Sequence, residues 1–194
     1  MPQWAKEDAE TEQNLARPYT PSKPEDEDDY DSASPLDEQG DFYRRGTLIH
    51  KLLQLLPAQA ENKAALVHEF LARNAADMAP HRRAQIEDEV LTLINQPQFA
   101  DVFGEHSRAE VPIMGEVDGK IISAQIDRLV ELDDKMLIID FKTNRPAAKT
   151  LATTPPSYIK QLQIYAELVR RIYPQKSVEA YILWTNETRL MRIL

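Results

Sequence analysis

Three consecutive segments, AEVPIMGEV (109–117), IISAQIDRLV (121–130) and MLIIDFK (136–142), alternate apolar and polar residues and are separated by two short polar breaks. Alternation with period two at this length predicts half-buried strands, and breaks this short leave room only for hairpins. The first break contains Asp118-Gly119, the favoured pair for a two-residue hairpin loop, so strand partners should have residue numbers that add to 237. The second, ELDDKM, is centred between Asp133 and Asp134, which predicts partners adding to 267. Glu110 then faces Asp127, and Asp127 faces Asp140. Pro112 cannot donate to a ladder, so its strand belongs on a sheet edge.

Side chains alternate faces along a strand, which sets Asp140 and Lys142 on one side of MLIIDFK and Leu137, Ile139 and Phe141 on the other. By the same rule Asp127 lies with Ser123 and Gln125, opposite Ile122, Ala124 and Ile126. A row Glu110, Asp127, Asp140 would hold like charges about 5 Å apart. Each close pair repels by roughly 4 kcal/mol at an effective dielectric near 20, so the row needs protonation or a cation. Oxygen donors with open positions suit magnesium, with manganese able to substitute. The ordinary alternative for either aspartate is a strand-end ion pair with Arg128 or Lys135.

Two helices carry the remaining polar candidates. GTLIHKLLQLLP starts at a Thr47 N-cap and stops at Pro57, which puts His50 in the first turn. There the positive end of the helix dipole disfavours imidazolium and leaves a neutral ring nitrogen for a metal. SYIKQLQIYAELVRRIYP has apolar residues at 158, 162, 165, 169 and 172, an amphipathic spacing, with Gln161 and Tyr165 four apart on or beside the stripe. A Gln near a buried face must find hydrogen-bond partners. Two further helices are predicted over 61–74 and 80–95 and two closing strands in VEAYILWT and ETRLMRIL, while His68, His81 and His106 read as surface residues. Helices flanking a mixed sheet make the fold class α/β.

The segments RGTLIH, QIDRLV, IIDFKTN and QLQIY, in that order, resemble the RecB-type branch of the PD-(D/E)xK nucleases, and in particular the nuclease domain of AddAB-type helicase-nucleases. The resemblance implies a restriction-endonuclease-like central mixed sheet with a helical N-terminal portion. It implies magnesium-dependent hydrolysis of DNA, with Asp127, Asp140 and Lys142 catalytic and with His50, both aspartates and the Phe141 carbonyl holding the metal. Gln161 and Tyr165 would shape the site and contact DNA, joined by Thr143 and Arg145 just past the Asp-x-Lys strand. Glu110 would hold a second metal, orient Lys142 or simply flank the site. As a base Lys142 would need a pKa far below about 10.4, a shift that neighbouring carboxylates oppose, so an electrostatic role is favoured. Implied partners are single-stranded DNA, a helicase portion of the same polypeptide and an AddB-like subunit, in double-strand-break repair. A stand-alone phage or mobile-element nuclease, or a catalytically silent DNA-binding or scaffold module, would share much of this pattern.

Charge is divided unevenly. Residues 1–41 hold 13 acids and 3 bases, net −10, whereas residues 42–194 hold 19 acids and 20 bases, net +1. The overall −9 therefore belongs to a tail expected to be a disordered arm or linker, with Trp4 and Leu15 as a hint of docking, ahead of one domain over 42–194. The folded part carries Arg44, Arg45, Lys142, Arg145, Lys149 and Lys160 near its motifs. There is no cysteine, which excludes disulfides and a cysteine-ligated iron-sulfur cluster. Neither a signal peptide nor a membrane span is visible, so a cytoplasmic location is expected. GxxxxGK[ST] is absent, so this chain is not itself the motor.

Overall fold

The computed structural model describes residues 18–21, 38–56 and 60–194. Helices α1 (Glu38–Leu55), α2 (Lys63–Asn74) and α3 (Pro80–Ile94) come first, then the meander β1 (Ser107–Val117), β2 (Lys120–Glu131) and β3 (Lys135–Lys142). Helix α4 (Pro156–Ile172) carries the chain to β4 (Ser177–Trp184), and β5 (Arg189–Arg192) closes the sheet. Strand order follows the sequence, β1-β2-β3-β4-β5, with β3 and β4 parallel and the other pairs antiparallel. Parallel neighbours need a crossover, and α4 supplies it. The Pro112 strand lies on an edge as expected.

Both hairpin registers are those read from the turns: Val111 lies opposite Ile126, and Arg128 opposite Ile139. Between them the ladder is interrupted. Glu110 and Asp127 are missing from an otherwise continuous β1–β2 pairing, and Glu110 has a left-handed φ of 52°. The interruption resets the alternation. Ile122 and Ile126 pack towards α4, and so does Leu129, whereas Val130 packs towards the N-terminal helices. The flat row of three carboxylates inferred from strict alternation is therefore replaced by a kink, at a cost of about 1–3 kcal/mol for the left-handed glutamate.

Beyond Arg128 the β2–β3 ladder ends and the strands diverge. Two groups fill the opening. At its near end the Phe141 N–H donates to Asp127 Oδ2 at 2.7 Å, so a side chain replaces the missing ladder partner. Further along β2, the Tyr19 N–H donates to the Ile121 carbonyl at 2.8 Å, and the Ser123 N–H to the Tyr19 carbonyl at 3.1 Å. Residues assigned to a free acidic arm thus include a short piece paired to the sheet. The boundary at 41 also falls inside α1. The acidic run 22–37, Trp4 and Leu15 lie outside the described residues.

The sheet separates two apolar layers. Leu48, Ile49, Leu52 and Leu53 of α1 join α2 and α3 against Val130, Ile139, Phe141 and Leu183. Leu162, Tyr165, Leu168 and Val169 of α4 cover Ile126, Leu129, Ile138, Ala180, Ile182 and Trp184 on the opposite face. Strands β3 and β4, central and buried on both faces, are accordingly almost wholly apolar except at their ends.

Candidate active site

The chemistry-bearing residues meet where β2 and β3 part. Asp140 projects from the α4 face of β3, four per cent exposed. Its Oδ1 accepts from Gln161 Nε2 at 3.1 Å, while Oδ2 is ion-paired with Lys142 Nζ at 2.8 Å. Lys142 also donates to Gln161 Oε1 at 3.3 Å, and its ammonium sits 4.3 Å above the ring of Tyr158. Gln161 Nε2 donates further to the Tyr165 hydroxyl at 3.0 Å. One buried amide thereby fixes carboxylate, ammonium and phenol together. From the other layer, His50 Nδ1 approaches Asp127 Oδ2 to 3.7 Å, with its ring edge-on to Phe141.

Burial, with the Asp140 carboxylate second, pushes the Asp127 carboxyl up to about 8. Burial acts downward on Lys142, but Asp140 and Asp127 outweigh it and raise the ammonium above its ordinary value. That direction favours the charged form of Lys142. His50 is lowered, mainly by burial, so its ring is neutral. The Tyr165 phenol, pushed up to about 12 chiefly by burial, stays protonated.

Several expectations change here. His50 is not in a first turn, because α1 begins at Glu38, and Thr47 is no N-cap but donates its hydroxyl to the Tyr43 carbonyl. The imidazole is neutral through desolvation, not through the helix dipole. Neither aspartate makes the ordinary ion pair: Arg128 points into the helical layer and donates to the Leu53 carbonyl, and Lys135 pairs with Glu179 at 3.6 Å. Gln161 and Tyr165 are buried, and Gln161 bonds to Asp140, Lys142 and Tyr165. Thr143 lines the cleft above the site, its carbonyl accepting from Arg45 Nη1 at 3.2 Å. Arg145 is half exposed and pairs with Glu89 at 2.9 Å. Glu110 also lines the cleft.

Two contributors escape a reading of the sequence. Tyr158, one turn before Gln161, caps the Lys142 ammonium and donates its hydroxyl to Asn144 at 3.2 Å. Its only signal was its place on the α4 stripe. Glu89 of α3 receives Arg45, Arg145 and, at 2.7 Å, the Thr185 hydroxyl, so it ties α1 and the end of β4 to the loop after Lys142. An acid within a mixed helix gave no signal at all.

Among the described residues no three His, Cys, Asp or Glu side chains stand close enough together to enclose a metal ion. In kind, however, the donors fit a divalent cation: a neutral imidazole, an Asp127 carboxyl raised by burial and then by the Asp140 carboxylate, and the buried Asp140 carboxylate itself. A cation would favour the ionised form of Asp127 against the burial and the Asp140 charge that hold the carboxyl up. No helix among the described residues is long and apolar enough to cross a membrane.

The chain is 23% identical over 147 residues to a component of the ATP-dependent helicase/nuclease of Streptococcus sanguinis strain SK36, covering 71% of this chain and 12% of that protein. It thus spans only a small part of that relative's length. The crystal structure of SSO0001 aligns over 80% of this chain and 77% of its own, with 19% identity and a TM-score of 0.36. The family model of the PD-(D/E)XK nuclease superfamily matches residues 26–190, a span that includes His50, Asp127, Asp140, Lys142, Gln161 and Tyr165. With that match over most of its length, a five-stranded mixed sheet between helical layers, and Asp-x-Lys at the mouth of a strand fork, the chain belongs to the PD-(D/E)XK nuclease superfamily.

Proposed function

We propose that this chain is the magnesium-dependent nuclease part of an AddAB-type helicase-nuclease and hydrolyses phosphodiester bonds in single-stranded DNA during double-strand-break repair. The observation that carries the reading is the buried Gln161 amide, which joins Asp140, Lys142 and Tyr165 beside the His50–Asp127 pair. A scaffold module would have no use for a charged pair held this way in a dry site, since removing solvent from both ions costs several kcal/mol.

His50, Asp127, Asp140 and the Phe141 carbonyl would hold magnesium, or manganese in its place, and the ion would supply Lewis acidity at the scissile phosphate and an acidified water. The protein's own part is electrostatic and positional. Lys142 stays cationic and neutralises charge developing on the phosphate, an interaction strengthened by burial. Gln161 keeps the Lys142 ammonium and Asp140 from re-orienting, and the protonated Tyr165 hydroxyl completes its hydrogen bonding. Thr143, on the rim, and Arg145, two residues further on, contact the DNA backbone. Glu110 flanks the cleft as an accessory group. The partners are DNA, an AddB-like subunit, and a helicase portion of the same polypeptide, and the cytoplasm is the compartment that this reading implies.

The test is cleavage of single- and double-stranded DNA with magnesium, with manganese and with excess chelator. We expect metal-dependent cleavage favouring single strands, abolished in Asp140→Ala and in Lys142→Ala although both variants remain folded. Full activity in chelator, or in either variant, would overturn the reading.

A further inference from the structure

Helix α1 turns one stripe towards the catalytic cleft, and the stripe changes character along its length. The cleft, about 900 Å³, is lined from α1 by Phe42, Gly46, His50 and Gln54 in one row and by Tyr43, Thr47 and Lys51 in the next. Steps of four place each row on one face. Opposite lie Glu110, Phe141, Lys142, Thr143, Asn144 and Tyr158. The lower part of the stripe is polar and holds His50. Its upper end is aromatic and open: Phe42 is 37% and Tyr43 46% exposed, and they are the only aromatics among the exposed large apolar side chains of the described residues.

Arg44, the next residue along, points to the other side of the helix and binds Asp77, between α2 and α3, at 2.6 Å. Gly46 keeps the path from Phe42 to His50 low. A Cβ there would come within 2.8 Å of Thr143 Oγ1, so the cleft floor is as narrow as the backbone permits. Eight residues separate Phe42 from His50 along one row, roughly 12 Å at 1.5 Å per residue.

We infer that Phe42, with Tyr43 beside it, is a stacking platform for an unpaired base one or two nucleotides from the scissile phosphate, and that it gives the enzyme its preference for single strands. The inference rests on the nuclease reading above and adds to it the residues that select the strand. Exposed aromatics are costly to leave in water and stack on any base, whereas bases inside a duplex have their faces occupied. Lys51, the residue after His50 on the cleft side of α1, and Lys142 across the cleft place positive charge at the site end of the path, where the backbone would be held. The platform touches the substrate but not the reacting atoms, so its loss acts on strand choice and affinity.

The experiment compares the full chain with Phe42→Ala and Phe42→Trp on a short oligothymidylate, on the same strand paired with its complement, and on an oligothymidylate with one abasic position. In Phe42→Ala the single-to-double-strand ratio of kcat/KM should fall about tenfold, the loss of one base–aromatic stack. Phe42→Trp should restore it. Moving the abasic position along the strand should find one place where wild type loses about as much and Phe42→Ala loses nothing more. An unaltered ratio in Phe42→Ala, with the Asp140→Ala variant inactive, would overturn the platform and leave the nuclease reading standing. Absence of metal-dependent cleavage by wild type would overturn both. A Phe42→Ala defect equal on single and double strands, unrelieved by Trp, would show a packing role and overturn the platform.

Discussion

Replacing Asp127 by Asn should stabilise the metal-free protein at neutral pH while abolishing cleavage. The folded protein holds the Asp127 carboxyl at about 8, against 3.8 in an ordinary setting, first through burial and then through Asp140. Because the folded pKa is raised, the stability that goes with the protonated acid is fully present below pH 3.8 and is lost as pH rises through about 8. The ceiling on that loss is roughly 6 kcal/mol at about 1.4 kcal/mol per pH unit. The side chain retains 18% exposure and Lys142 already balances part of the charge, so about 2 kcal/mol is the fairer figure. Asn keeps an oxygen to accept from the Phe141 N–H and carries no charge to bury. In a domain of this size about 2 kcal/mol corresponds to a rise in Tm of some 4–8 °C. Melting curves from pH 5 to 9 in chelator check this: wild type should lose stability towards pH 8, and Asp127→Asn should not. Magnesium should raise the wild-type Tm and raise that of the variant much less, since it binds only the folded state. If the apo variant melts below wild type at pH 8 and magnesium raises both alike, Asp127 is not crowded by Asp140 and does not help to hold the ion.

Gln161→Leu should lower cleavage by about 10–100-fold with the fold retained, because it strips partners from Asp140, Lys142 and Tyr165; steady-state kinetics and circular dichroism separate the two effects. Glu89→Ala should cost about 3 kcal/mol, read as a lower Tm, since it leaves the largely buried Arg45 without its counter-charge. Gly46→Ala should impair cleavage more than stability: the helix gains up to about 1 kcal/mol in propensity, but the new methyl group displaces Thr143 next to Lys142. Removing residues 1–21 should lower the Tm, by about 1–2 kcal/mol in stability, by withdrawing the Tyr19 bonds from β2.

The meander was legible because its two signals are local and agree. Asp118-Gly119 and the Asp133-Asp134 turn set registers that the apolar faces confirm, and both are found in the structure. The kink at Glu110 and Asp127 was not legible, since neither residue is a glycine, and the signals beside it, Pro112 and the adjacent apolar Leu129 and Val130, do not fix where a bulge falls. The beginning of α1 was misplaced for a related reason. Gly46 looks like a helix boundary by propensity, yet it lies inside the helix because close contact with Thr143 requires the missing Cβ.

The two glycine and glutamate irregularities have one physical origin. A nuclease site of this kind must bring carboxylates, an ammonium and an imidazole from both layers of an α/β sandwich to one point, although a regular sheet would keep the layers apart. Ending the β2–β3 ladder after Arg128 opens that point, and Asp127 spans it by accepting from Phe141 while facing His50. The buried Gln161 amide then closes the α4 side by bonding to Asp140 and to the Tyr165 hydroxyl. On the proposed reading, what remains exposed along the cleft is what can select a strand: the aromatic end of α1 above and Thr143 at the rim. On the same reading, catalysis belongs to the buried polar groups fixed by α4 together with His50 of α1, and strand choice to the aromatic end of α1, so substituting Phe42 should change strand choice largely without the chemical step.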